Sequence, residues 1–156
     1  MSAQSVLDSR DIALPDAAAT MALGRRLAAH LTPGDVVCLS GSLGAGKTTL
    51  ARGAIETWTG EAQETPSPTY TLVQMYDGPR GQLWHVDLYR LKRAEEATEL
   101  GLEDAFVEAA CLIEWPERLG ALTPRDRLDV TLETDGAGRR ATLTGRGAWG
   151  ARVGSI

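Results

Sequence analysis

Gly41-Ser42-Leu43-Gly44-Ala45-Gly46-Lys47-Thr48 fits the pattern G-x-x-x-x-G-K-[ST] at every fixed position. With 17 glycines, 2 lysines and 22 serines plus threonines in 156 residues, chance supplies about 0.003 such matches. Nothing else in the chain restricts the fold as strongly. Three glycines let the backbone wind round an anion with its N–H groups turned inward. The loop must also open a helix, whose N-terminus lends partial positive charge to the same spot. The flanks agree. Asp35 to Ser40 is a short apolar run, read as a buried strand, and Lys47 to about Trp58 reads as a helix. Lys47 then reaches β- and γ-phosphates as a point charge, and the Thr48 hydroxyl is an expected Mg²⁺ ligand.

Helical and extended patterns alternate around this unit. Ser9 to Leu14 is an expected strand, Pro15 and Asp16 suit a helix's first turn, and an Ala-rich helical pattern runs to Leu31 before Pro33-Gly34. Thr65 to Thr69 is a Pro-rich loop. Tyr70 to Tyr76 and Gln82 to Tyr89 read as a hairpin around residues 77–81. Lys92 to Ala109 is helical and acid-rich with a break at Gly101, and Ala110 to Glu114 is a buried strand stopped by Trp115-Pro116. A last hairpin pairs Arg127–Glu133 with Arg139–Thr144 across 135–138, and a loose Gly-rich tail is expected from about residue 146, with Trp149 exposed. The fold predicted is a single α/β domain over residues 1–156, a P-loop NTPase-like three-layer sandwich around a mixed sheet.

The site needs an acid near the magnesium. Glu114 closes a strand-like apolar run, and Asp87 lies in His85-Val86-Asp87-Leu88-Tyr89. Both are taken as site residues, one ligating metal and the other ordering water. Guanine-specific folds use an Asn/Thr-Lys-x-Asp element. The lysine outside the loop, Lys92, is not in one, so ATP or ADP is expected as the nucleotide. Thr69 stands where a mobile loop senses a γ-phosphate.

Four segments carry a resemblance: Gly41 to Thr49, Ser67-Pro68-Thr69-Tyr70-Thr71-Leu72-Val73, His85 to Leu91, and Ile113-Glu114-Trp115-Pro116-Glu117. In order and spacing they are similar to the TsaE (formerly YjeE) family, over about Pro15 to Leu132. The resemblance implies a slow Mg²⁺-dependent ATPase that works with the proteins TsaB and TsaD. That pair makes threonylcarbamoyladenosine beside the anticodon of tRNA, so tRNA is reached indirectly, through the complex. By the same resemblance Gly41, Ser42, Leu43, Gly44, Ala45, Gly46, Lys47, Thr48 and Thr49 hold the nucleotide, with Thr49 toward the α-phosphate. Asp87 and Glu114 serve at the metal, Thr69 belongs to a switch-like loop, and Tyr89 and Trp115 flank the site. Ser42 stands where the family often has an acid, Tyr70 where Phe is commoner, and Leu14 where Ser often caps the first helix.

A small-molecule P-loop kinase is the alternative from another class. It calls for a lid with arginines facing the phosphates, and Arg118, Arg125 and Arg127 follow Glu114 without a long insertion. A net charge of −5 argues against a broad nucleic-acid footprint, although Arg139, Arg140, Arg146 and Arg152 make the last segment locally basic. Cys38 and Cys111 sit in apolar runs and are read as buried, inert thiols. With no run of 18 apolar residues and no signal-peptide pattern, the expected location is the cytoplasm, with no membrane partner.

Overall fold

The computed structural model describes residues 7–42, 44–61 and 72–156, the side chain of Leu7 excepted. Thr69, Leu43 and the Ser67–Thr71 stretch lie outside the described residues. Among the described residues the sheet has seven strands: β1 (Leu7–Leu14), β2 (Val36–Ser40), β3 (Val73–Gly78), β4 (Gly81–Asp87), β5 (Ala110–Glu114), β6 (Arg127–Asp135) and β7 (Gly138–Arg146). Their order is β1-β7-β6-β2-β5-β4-β3. The middle four are parallel neighbours, and antiparallel strands flank them on both sides. The helices are α1 (Ala17–Ala29), α2 (Lys47–Thr59), α3 (Glu95–Glu99) and α4 (Leu102–Glu108). The expected α/β architecture with a mixed sheet is the one found. Among the described residues no helix is long and apolar enough to cross a membrane.

Strand alternation sorts the core into two layers. Val37 and Leu39 of β2, Leu112 of β5 and Leu128, Val130 and Leu132 of β6 pack with α1 and α2. Val36, Cys38, Cys111, Ile113 and Val86 face the other way, toward Ala97, Leu102 and Ala105 of α3 and α4. Helix α1 buries a stripe of Thr20, Leu23, Gly24, Leu27 and Ala28, the spacing that lays one helical face on a core. Asp16 is its N-cap rather than part of its first turn, its side chain accepting from the Ala19 N–H at 2.8 Å. A carboxylate thus caps the helix that lacks a serine before Pro15. Helices α1 and α2 meet almost backbone to backbone. A Cβ on Gly24 would collide with the Leu50 carbonyl, and one on Gly53 with the Met21 carbonyl. This close approach fixes where α2, and the loop that opens it, sits over the sheet.

Strands, helices and turns fall near their expected places. The β3–β4 turn is tighter than expected, because Asp77 and Gly78 stay in the ladder and pair with Gln82 and Gly81. The Arg80 guanidinium at its tip donates to the carbonyls of Leu31 and Ala28, satisfying the end of α1, and lies 4.6 Å from the Trp58 ring centre. The helical pattern does break at Gly101, which takes φ +82 between α3 and α4.

One expectation is corrected. Beyond β7 the chain is no loose tail: it forms 3₁₀ turns at Gly147–Ala151 and Val153–Ser155. Trp149 is 2% exposed and Val153 is fully buried, both in the layer under α1. Arg26 and Arg10 donate to the Ile156 carbonyl oxygen, and Arg152 forms a bidentate pair with Asp35 at 2.7 and 3.0 Å. Three glycines with a tryptophan read locally as slack. The apolar face that β1 and β7 offer through Leu14, Ala141 and Leu143 is what draws the segment in.

Candidate functional site

The parallel strands end at one edge of the sheet, and the loop after β2 opens there. Gly41 takes φ +141 with the Leu132 carbonyl where a Cβ would stand, so β6 packs directly on the loop's first residue. Gly46 takes φ +105 as the N-cap of α2, a conformation that turns the chain sharply into the helix. It offers no side-chain cap, so the first N–H groups of α2 are left for another acceptor. Ala45 is buried, Ser42 and Gly44 are exposed, and Thr48 and Thr49 are half-buried.

Lys47 is 5% exposed, and among the described residues it forms no ion pair. Its Nζ lies 4.3 Å from the centre of the Trp115 ring, which a cation favours over bare apolar surroundings. Tyr89 packs on the same indole at 4.9 Å with the planes tilted 53°. Trp115 is also the one non-glycine among the described residues at positive φ, +59. Such a conformation costs on the order of 1–3 kcal/mol in a bulky residue and persists only where packing dictates it. Leaving β5 in this way puts the ring beneath the lysine and sends Pro116 into the 3₁₀ segment Pro116–Leu122.

The acids come from adjacent strands. Asp87 and Glu114 are register partners in the parallel ladder of β4 and β5. Because Leu83 and Leu112 face α1 and α2, the period of two carries His85, Asp87 and Glu114 to that same side. Glu114 is 4% exposed and its Oε2 lies 2.6 Å from His85 Nε2. Asp87 is more open, and its Oδ1 accepts from the Tyr89 N–H at 3.0 Å. Burial pushes the Asp87 carboxyl above its ordinary value. The Tyr89 N–H opposes that rise and the neighbouring Glu114 charge adds to it. Lys47 is close enough to favour the ionised form of Asp87.

Of the expected site residues, then, the structure brings Lys47, Asp87, Glu114 and Trp115 together at the mouth of the glycine loop. Among the described residues no three His, Cys, Asp or Glu side chains form a ready-made metal cage. Mg²⁺ takes one or two carboxylates with phosphate oxygens and waters. Thr48, Asp87 and Glu114 are a hard oxygen set of this kind.

Two contacts at the site have no counterpart in the sequence patterns. Arg139, at the start of β7, donates from Nη2 to the Gly44 carbonyl at 3.1 Å. With Leu14, Asp16, Thr20, Thr49 and Gly138 it lines a cavity of about 180 Å³ beside the loop. No local signal marks this, since residues 44 and 139 meet only through the return of β6 and β7. His85 stands out in the sequence only for its closeness to Asp87, and its bond goes to Glu114 instead.

Several other arginines are tied into the fold. Arg146 pairs with Asp129 and Arg152 with Asp35, which neutralises two of the four arginines of the last segment within the fold. Arg118 donates to the Leu91 carbonyl, and Arg127 binds Asp129 and the Pro124 carbonyl. Neither plays the part of a lid arginine that a kinase would require.

The chain is similar to known proteins over most of its length. A family model described as threonylcarbamoyl adenosine biosynthesis protein TsaE matches residues 14–142. The tRNA threonylcarbamoyladenosine biosynthesis protein TsaE of Rickettsia bellii is 38% identical, over 85% of this chain and 88% of the relative. That of Bacillus subtilis is 36% identical, over 78% and 75%. The crystal structure of Bacillus subtilis YdiB superposes with a TM-score of 0.79 at 28% identity, over 96% of this chain and 93% of that one. By motif, by fold and by relatedness along most of its length, the chain belongs to the TsaE family of threonylcarbamoyladenosine biosynthesis proteins.

Proposed function

We propose that the chain binds ATP and ADP with Mg²⁺, hydrolyses ATP slowly, and uses that cycle to act on a TsaB–TsaD pair during threonylcarbamoyladenosine formation in tRNA. It does so in the cytoplasm, meeting tRNA through its partners. The observation that carries this reading is the glycine-lined loop whose buried Lys47, without an ion pair among the described residues, stands beside Asp87 and Glu114. The names borne by the relatives support the pathway.

In this reading the N–H groups of residues 44–48 and Lys47 hold the phosphates, and the Lys47 ammonium leaves the Trp115 ring to do so. Thr49 and the cavity toward Asp16 and Arg139 accept the α-phosphate and the nucleoside attached to it. Thr48 and Asp87, the more open acid, hold Mg²⁺, which when bound neutralises charge on the β- and γ-phosphate oxygens. Glu114 orients the attacking water. The same reading gives Thr69 a role toward the γ-phosphate.

Reconstitution tests the whole reading. The chain, TsaB, TsaD, tRNA, threonine, bicarbonate and ATP should give modified adenosine over many turnovers. Equal turnover without this chain refutes the role in the complex. ATP consumed with phosphorylation of an added metabolite, rather than slow phosphate release, would turn the reading to a kinase.

A further inference from the structure

Strand β7 opens with a cation on its core-facing side. Ala141 and Leu143 face α1 and α2, so the period of two brings Arg139 to that same side, at the edge where the glycine loop lies. Its backbone is held from both directions, because Leu14 of β1 and Thr134 of β6 are its register partners. Gly138 backs onto the Leu14 carbonyl so closely that a Cβ there would collide. The side chain therefore starts from a fixed point of the sheet.

Its far end is fixed as well. Nη1 donates to the Gly138 carbonyl at 2.9 Å and Nη2 to the Gly44 carbonyl at 3.1 Å. Hydrogen bonds from a guanidinium lie in its plane, so these two set the orientation of the plane and leave its flat faces for other contacts. Arg139 also lines the cavity of about 180 Å³ beside the loop, together with Leu14 and Ala17. A flat cation and apolar side chains around one small cavity make a slot for a planar ring. Thr49, in the first turn of α2, joins that slot to the phosphate loop. The bond to Gly44 does not by itself explain the arginine. It is exposed, and the loop is already shaped by Gly41 against the Leu132 carbonyl and by the Ala45 N–H donating to the Ser42 carbonyl at 3.1 Å. One solvent-exposed bond adds little to such a turn.

The geometry points to Arg139 as the platform on which the purine base of the bound nucleotide stacks, with Leu14 and Ala17 against the base from the α1 side. This rests on the ATP and ADP reading above. It adds the residue by which the site tells a nucleotide from a bare polyphosphate. The Gly138 and Gly44 carbonyls orient the guanidinium, and its face meets the base.

Calorimetry on the full chain with Mg²⁺ tests this with two probes, ADP and inorganic pyrophosphate, on the parent, Arg139→Ala and Arg139→Lys. Arg139→Ala should lose about 5–30-fold in ADP affinity and less than about 3-fold in pyrophosphate affinity, because a base stacked on a cation contributes to the first alone. Arg139→Lys keeps the charge without the plane, and its ADP affinity should stay within about 3-fold of the alanine variant's. Equal losses for the two probes overturn the inference, since Arg139 then serves the phosphates. Recovery of ADP affinity in Arg139→Lys overturns it too, since charge alone then suffices. Should the variants not fold, ¹H NMR of the parent decides. The Arg139 δ-protons should move upfield under the ring current of bound ADP and stay in place with pyrophosphate, and the absence of that ADP-specific shift overturns the inference. A parent that binds the two probes equally well also overturns it and leaves the phosphate loop standing. A parent that binds neither refutes the nucleotide reading itself.

Discussion

Strand β5 presents two faces that differ only by alternation. Ala110, Leu112 and Glu114 look toward α1 and α2, whereas Cys111 and Ile113 look toward α3 and α4. The first face ends in the acid that meets His85, beside Asp87 and within reach of Lys47. The second face ends in apolar packing, and its thiols are silent. Burial pushes Cys111 up to about 12, as it does Cys38, to which the Asp129 charge adds. Both faces are buried, so burial alone does not make a site. What separates them is which face the glycine loop and α2 cover, since that is where an anion and its cation must be balanced.

The largest expected break of this contrast is at Lys47. Lys47→Ala removes the buried ammonium at the loop mouth and should weaken ADP and ATP binding about 100-fold or more, read by calorimetry. Next come the acids. Glu114→Gln and Asp87→Asn should each lower phosphate release about 100-fold, while Glu114→Gln retains nucleotide binding and Asp87→Asn loses much of its Mg²⁺ dependence. Equal Mg²⁺ profiles in the two variants would dissolve the division of labour proposed for them.

A smaller effect concerns stability. Burial raises the folded-state pKa of Asp87 above 3.8, so the folded protein binds this proton more tightly than the unfolded chain. The charged carboxylate then costs stability, progressively, as pH rises from 3.8 through the raised value. Asp87→Asn keeps the acceptor for the Tyr89 N–H and should raise Tm modestly at pH 7, a gain that vanishes below 3.8. A mutant that is less stable at neutral pH contradicts the assigned cause. The smallest effect is expected on the opposite face: a thiol reagent should modify neither Cys38 nor Cys111 until the protein unfolds. Rapid labelling of the native protein would show that this layer is not sealed.

Much of the architecture is legible because it is written in short-range patterns. The strand–loop–helix around Lys47, the break at Gly101, the buried run ending at Glu114 and the C-terminal hairpin each rest on spacings of a few residues. Boundaries shift where distant groups intervene, as at Gly78, whose Cα backs onto the Trp58 carbonyl, and at Asp16, which caps rather than begins its helix. The tail misleads because its composition resembles slack chain, and nothing local reveals the apolar face of β1 and β7 that Trp149 and Val153 cover.

The sequence by itself determined the phosphate loop, the residue types at its mouth and the alternation that points them, since these come from local backbone preference and periodicity. Only the tertiary structure decided that His85 bonds Glu114 rather than serving Asp87. It likewise decided that Arg139 braces Gly44, and that Trp115 bends to positive φ beneath Lys47. Those contacts join residues as many as 95 positions apart. They depend on strand order and register, which many weak contacts across the sheet settle together and no single segment encodes.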